Sequence, residues 1–400
     1  MADLPFKAFD ADNHYYEATD AFIRHIDPAM KKRCMQWADI DGKQRLLVAG
    51  KVNRFIPNPT FDPVSKPGAL QDFFRGRNKD GVDVKTMFGQ LDPISERPEY
   101  RDRNKRLGLM DAQNIEAALF FPTLGVGMEQ SLRHDPPAVV AAFGAFNRWL
   151  AEDWGFAYQE RIFAAPMISM IDVEWAVSEV EWALANDARM VVMVPGPVPA
   201  ADGGSRSPGM PEYDPVWARL AEAGITVGMH GGDGGLHEYN EMWEPTEDFQ
   251  SFRVSTFRQI TGHDRQIFDT MAAMVCHGLY DRHPNLRIAC IENGGMFAPR
   301  LVEELKIAYG KMPQEFQSDP VDQFVAHVWV SPYYEDDIDL IKETMGADHM
   351  LFGSDYPHAE GLEVPTDFIY DIPNFTDAEA KAMMRDNAWD VITPRSALAA

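Results

Sequence analysis

The chain has 400 residues, of which 45% are hydrophobic and 25% charged, values ordinary for a soluble globular protein able to bury a sizeable core. A formal net charge of −25 argues against nucleic acid or an anionic membrane as partner, because phosphate neutralisation needs a basic face. It leaves a small-molecule substrate open, since a local pocket can carry either sign. Three scattered cysteines (Cys34, Cys276, Cys290), with no CxxC pair, fit a reduced, cytoplasmic protein without a disulfide framework. The opening residues lack the basic and apolar regions of a signal peptide, and no run of 18 apolar residues predicts a membrane span.

The first informative stretch, Phe9 to Glu17, sets Asp10, Asp12, His14 and Glu17 close together at the end of a short strand. Asp12 and His14 are two apart, so on a strand both leave the same face. Residues 18 to about 110 alternate Pro, Gly and charge, and predict an irregular excursion over the scaffold, a lid or substrate wall within one domain spanning 1–400. From Ile115 a rhythm of apolar strands and helices begins. Strands are predicted at Ile115–Pro122, Arg161–Ile168, Met190–Pro195, Ile225–His230, Leu286–Glu292, His327–Ser331 and His349–Asp355. Helices are predicted over Pro137–Gln159, from an Asp172 cap through Asn186, from an Asp214–Pro215 start to Gly224, near Asp264–Tyr280, and over Glu335–Met345. Thr376 to Glu379 reads as a capping box for the last helix.

Counted with the opening strand there are eight apolar strands, most followed by a helix, and uniformly apolar strands are buried on both faces of a parallel sheet. The fold expected is an α/β TIM barrel, (β/α)8, with a long insertion between strands one and two. An open doubly wound sheet is the rival, but no GxGxxG follows the first strand. In a barrel the C-terminal strand ends share one mouth, which gathers Asp12, His14, His230, Glu292 and Asp355. Such nitrogen and oxygen donors suit a single divalent metal ion with positions left for water or substrate.

Asp10-Ala-Asp12-Asn-His14, His230-Gly-Gly, the Asp281-to-Arg287 lead and Phe352-Gly-Ser-Asp355-Tyr-Pro-His358 resemble the amidohydrolase superfamily. Within it the chain is similar to the amidohydrolase-related branch typified by aminocarboxymuconate-semialdehyde decarboxylase. The resemblance spans nearly the whole chain and implies a metal held by Asp12, His14, His230 and Asp355. Two departures stand out. The strand-one pair is Asp-x-His, not His-x-His, which moves the metal from zinc, the first expectation, toward manganese, the alternative. Strand six offers Glu292-Asn-Gly-Gly where the branch often places a catalytic histidine, so a carboxylate has to serve as acid or base.

Each site residue has a structural rival. A lone strand histidine is commonly a core residue bonded to backbone; Glu292 could pair with an arginine or cap a helix. His358, Glu17 and Arg300 are candidates for substrate contact, Arg253 and Arg258 for holding a carboxylate, and ion pairing is the rival for each arginine. His237 and His263 are weaker pocket candidates, and Trp243, Phe249, Phe252 and Phe257 read as packing or pocket wall. His283 and His349 lie toward the opposite barrel end and read as structural. The expected function is a metal-dependent carboxy-lyase acting on an aromatic or unsaturated small carboxylic acid, with Asp355, Glu292 and His230 catalytic. The alternative is a hydrolase of an amide, lactone or C–C bond using metal-activated water. A ligand-binding barrel without turnover is the third reading. A homodimer or higher homo-oligomer is the expected assembly.

Overall fold

A computed structural model describes residues 2, 4–200, 204–244, 255–262 and 264–395. Seven parallel strands follow the predicted order: β1 (Ala8–Tyr15), β2 (Ile115–Pro122), β3 (Ile162–Ala164), β4 (Met190–Met193), β5 (Thr226–His230), β6 (Arg287–Ile291) and β7 (Val328–Val330). Every residue of β1, β4, β5, β6 and β7 is buried, as a strand covered on both faces requires. The ladders run β1–β2–β3 and β4–β5–β6–β7, and a bridge from Met167 to Val192 joins the two arcs.

The ring is closed by residues 350–356, which bridge Val330 through Met350 and Asn13 through Tyr356. This eighth element departs from the regular strand expected over His349–Asp355: Ala347–His349 form a 3-10 turn, and only single bridges follow. Its bonds alternate between neighbours, Leu351 N to Val330 O at 2.9 Å and Ala11 N to Phe352 O at 2.7 Å. Asp355 then turns into the left-handed region at φ 54°, which ends any repeating ladder. The result is a (β/α)8 barrel.

The helices outside the ring match the sequence signals, with small shifts. Val173–Ala185 is capped by Asp172, whose carboxylate accepts from Trp175 N. Asp214 is not the cap expected: it sits in the first turn of Asp214–Ala223 and pairs instead with Arg282 and His283. The helix expected from Glu335 begins later, at Ile338, capped by Asp337. Thr376 and Glu379 form the capping box.

The insertion is more ordered than its composition suggests. Met35–Ile40 and Lys43–Val48 pair antiparallel, with Lys51–Val52 added at the edge. Met35, Leu46 and Val48 are buried and join the same core as the barrel strands, so the segment completes that core instead of needing its own. Its later part reaches the barrel mouth, where Leu70 N donates to Ala359 O at 2.7 Å and Gly68 N to His358 O at 3.2 Å. No helix among the described residues is long and apolar enough to cross a membrane.

Candidate metal centre

Four strand ends deliver the central side chains to one rim of the barrel. Asp12 and His14 come from β1, His230 is the last residue of β5, Glu292 follows β6, and Asp355 ends the eighth element. Glu292 and Asp355 are non-glycine residues at φ 54° each. Left-handed backbone at such residues costs on the order of 1–2 kcal/mol, and here it turns two carboxylates inward at the mouth. Close approach does the rest. A Cβ at Gly353 would lie 2.5 Å from Asp12 Cβ and 2.7 Å from Ser331 Oγ, so only glycine lets the eighth element press against β1.

His14 Nε2 lies 3.2 Å from Asp12 Oδ1, 3.4 Å from Asp355 Oδ1 and 3.5 Å from Glu292 Oε2. His230 Nε2 lies 3.1 Å from Glu292 Oε2 and 3.5 Å from Asp12 Oδ1. These separations exceed the 2.7–2.9 Å typical of charge-assisted hydrogen bonds. They match the edge of a tetrahedron around an ion with ligands at about 2.1 Å, which is about 3.4 Å. Asp12 Oδ1, both nitrogens of His14 and His230 Nε2 are buried and have no hydrogen-bond partner, while Asp355 Oδ1 lies against His358. Buried polar atoms are normally satisfied, so the convergence of Asp12 Oδ1, His14 Nε2 and His230 Nε2 without partners fits a cation-binding site. His230 Nδ1 faces Gly231 O at 2.9 Å; a carbonyl can only accept, so Nδ1 carries the proton and Nε2 presents its lone pair to the cluster. Residue types and geometry therefore fit a divalent ion.

Electrostatics agree. Burial opposes charge on Asp12, yet the nearby His14 and His230 imidazoles hold its carboxyl well below the usual range. Burial likewise opposes charge on His14, but Asp12 and Glu292 push it up to about 10. Asp355 goes the other way: burial first, then repulsion from Glu292, raises it well above the usual carboxylate range. The crowded carboxylates need positive charge, supplied either by protons or by a cation.

A hydrogen-bond chain behind the cluster fixes the two motifs to each other. Buried Asp10 accepts from Ser354 N at 2.9 Å, Ser354 Oγ at 2.5 Å and Asn13 Nδ2 at 2.8 Å. The buried Arg106 guanidinium donates to Asn13 Oδ1 at 2.5 Å and to His14 O at 2.8 Å. His358 joins the group: Nδ1 is 2.5 Å from Asp355 Oδ1, Nε2 is 3.0 Å from Thr123 Oγ1, and its ring lies 4.1 Å from that of His14. Burial, then the nearby His14, pushes His358 well below its ordinary value. Glu17 is buried nearby but turned to backbone, accepting from Leu124 N and Gly125 N at 2.8 and 3.0 Å; burial pushes it up to about 7.

Arg300 is elsewhere. It sits on the helix Phe297–Lys311, half exposed, pairs with Asp264 at 3.2 Å and stacks over Phe268. Its place one turn into the helix after β6 carries it to the outer surface, which corrects the expectation of a substrate contact. Arg258 lies beside Glu244, Nε to Oε2 3.8 Å, and Trp243 is exposed against Phe257. Phe249, Phe252, Arg253, His263 and the side chain of His237 lie outside the described residues. His283 pairs with Asp214, and His349 Nδ1 donates to the backbone carbonyl of Val328 at 3.0 Å, far from the mouth.

Beside the cluster opens a cavity of about 170 Å³, lined by Asp12, Glu292 and Asp355 together with Phe74 of the insertion, Tyr333, Tyr334, Glu335 and Glu360. Sequence reasoning missed Glu360 and the two tyrosines. The one available signal was position: Glu360 is two residues beyond His358, and Tyr333 and Tyr334 follow the end of β7.

The Amidohydrolase family profile matches residues 10–391, and the chain belongs to that family. An amidohydrolase of Mycobacterium avium subsp. paratuberculosis K-10 has a solved structure that is 43% identical, covering 98% of this chain and 99% of that one, with a TM-score of 0.93. The dihydroxybenzoic acid decarboxylase of Polaromonas sp. JS666, solved with manganese and 2-nitroresorcinol, is 15% identical over 97% of each chain at a TM-score of 0.63. A 2-amino-3-carboxymuconate-6-semialdehyde decarboxylase of Dictyostelium discoideum is 23% identical over 127 residues, 30% of this chain and 35% of that relative's length. The protein is thus an enzyme of the amidohydrolase superfamily.

Proposed function

We propose that the protein is a metal-dependent carboxy-lyase acting on an aromatic or unsaturated small carboxylic acid, with the ion held by Asp12, His14, His230 and Asp355. The observation that carries the reading is the set of buried, unpartnered donors opening onto an aromatic-walled cavity. When bound, a divalent ion supplies Lewis-acid polarisation of a substrate oxygen and lowers the pKa of a coordinated water toward roughly 7. Zinc or manganese suits the mixed nitrogen and oxygen donors.

The chain's own residues do the rest. Tyr333, Tyr334 and Phe74 offer faces and edges against which a planar substrate packs and from which water is excluded. Glu292 is the most exposed of the cluster carboxylates, its side chain 23% accessible against 5% for Asp12 and 13% for Asp355. It is the group in reach of an incoming carbon. In its protonated form Glu292 gives its proton to the carbon bearing the carboxylate; the bond to the carboxyl carbon then breaks, its electron pair restores conjugation, and CO2 leaves. A solvent proton returns Glu292 to its starting state. His358, fixed between Thr123 and Asp355, orients the Asp355 carboxylate. The insertion, through Phe74, acts as a lid within a single domain.

The hydrolase reading draws on the carboxylate that replaces the expected histidine: Glu292 or Asp355 would take a proton from attacking water. Purified protein loaded with Mn²⁺ or Zn²⁺, given a panel of aromatic acids in H2¹⁸O, separates the two. CO2 release with no ¹⁸O in the organic product is the expected result. Label in the product without CO2 would replace the lyase by the hydrolase.

A further inference from the structure

Residues 65–91 of the insertion form a flap with one base and one clasp. At the base, Val64 and Asp92 exchange backbone bonds, each N–H donating to the other's carbonyl at 2.8 Å. Among the described residues of the flap only Leu70 is buried. So little buried apolar surface leaves a segment weakly held by packing. What holds it is polar and confined to Gly68–Arg75. Gly68 N donates to His358 O at 3.2 Å and Leu70 N to Ala359 O at 2.7 Å. The Arg75 guanidinium grips Asp371 through two parallel bonds of 2.6 and 2.9 Å, the two side chains being only 16% and 13% exposed. The same guanidinium lies 4.4 Å over the Tyr334 ring, whose hydroxyl donates to Glu360 O at 2.8 Å.

One side chain thus ties the insertion to the loop after β7 and to the 3-10 helix Pro365–Asp371. That helix is a firm anchor, because its buried Phe368 packs on Phe352 of the eighth element with ring centroids 5.3 Å apart. Phe74, beside Arg75, lines the cavity that holds Asp12, Glu292 and Asp355. We propose that Arg75 is a positioning residue: paired with Asp371 it clasps the flap over this cavity, and its release opens the way to the donor cluster. The inference deepens the lid and metal readings above and rests on them for what passes through. A bidentate arginine–carboxylate pair has the geometric specificity a clasp needs, which a lysine does not reproduce. A clasp that touches neither the ion nor its ligands changes how fast the ion enters and leaves, not how tightly it is held.

Hydrogen exchange and stopped-flow Mn²⁺ kinetics on the full chain test this in Arg75→Ala, Arg75→Lys and Asp371→Asn. Peptides covering residues 66–75 are expected to exchange at least tenfold faster in Arg75→Ala and Asp371→Asn, with those of β1 and β5 unchanged. Arg75→Lys is expected to lie nearer to Arg75→Ala than to wild type. Mn²⁺ release to excess EDTA and Mn²⁺ uptake by the chelator-stripped chain are expected to rise together, each at least fivefold, with Kd unchanged. Wild-type exchange in both Arg75→Ala and Asp371→Asn would overturn the proposal. So would faster exchange with unchanged Mn²⁺ rates, or weaker Mn²⁺ binding without faster uptake, which would make Arg75 a structural support of the centre. A wild type that takes up no Mn²⁺ would remove the metal reading instead; faster exchange in the variants would still uphold the clasp, and unchanged exchange would still overturn it.

Discussion

The two ends of the barrel use histidine in opposite ways. Away from the mouth, His327 Nδ1 lies 2.6 Å from Leu286 O with its ring stacked on Tyr280, His349 Nδ1 lies 3.0 Å from Val328 O with its ring on Trp329, and His283 is paired with Asp214. Each has a protein partner. At the mouth, His14 and His230 each keep at least one buried ring nitrogen without a hydrogen bond. An unsatisfied buried polar atom costs roughly 1–3 kcal/mol, so such a group persists where something outside the protein, here the proposed cation, completes it. The residue type is uninformative by itself; what separates structure from chemistry is whether the ring is finished by the protein.

That contrast breaks most visibly with His230→Ala or Asp355→Asn. Either is expected to lose bound metal and at least a thousandfold in activity, with the apo protein unfolding within a few degrees of wild type; retained metal and rate would erase the distinction between the ends. Glu292→Gln is expected to keep the metal and lower turnover about 10²- to 10⁴-fold, the range of one general acid. Loss of metal in that variant would make Glu292 a ligand first and a proton donor second.

The ends also differ in how pH acts on them. Glu129, on the loop side after β2, accepts from Ser169, and burial pushes it up to about 7 from 4.5. Its folded state holds the proton more tightly, so its contribution to stability is full below pH 4.5 and is lost as pH rises through about 7. Glu129→Gln is expected to gain roughly 1–3 kcal/mol on wild type between pH 5 and 8 in urea titrations. His327, at the other end, is lowered from 6.5 by burial. Its contribution is full above pH 6.5 and declines as pH falls below that value, so the slope has the opposite sign. His327→Gln is expected to flatten the acid side, to cost about 1 kcal/mol at neutral pH and to leave metal stoichiometry unchanged.

The sequence was legible where periodicity and spacing are local. Apolar runs such as Met190–Met193 announce buried parallel strands, and Asp12, His14, His230 and Asp355 could be placed at one mouth because barrel topology converts strand ends into neighbours. Asp355 was readable as a site residue, but not the left-handed turn that aims it, since nothing in Gly353-Ser-Asp355 declares a positive φ at aspartate. Arg300 was misplaced because a helix turns its residues by about 100° each, and being near β6 in sequence says nothing of which side faces the mouth. The insertion hid its hairpin for a related reason: Met35, Leu46 and Val48 bury against the barrel, a partner invisible in the local pattern. Glu360 and Phe74 reach the cavity from loops whose course is set by single bonds such as Leu70 N to Ala359 O, at 2.7 Å.

Metal titration of the chelator-stripped chain, followed by calorimetry in wild type and His230→Ala, tests the central claim most directly. One Mn²⁺ or Zn²⁺ per chain, bound by wild type and lost in the variant, is the expected result. A wild type that takes up no ion, or a His230→Ala chain that binds it equally well, would contradict the account.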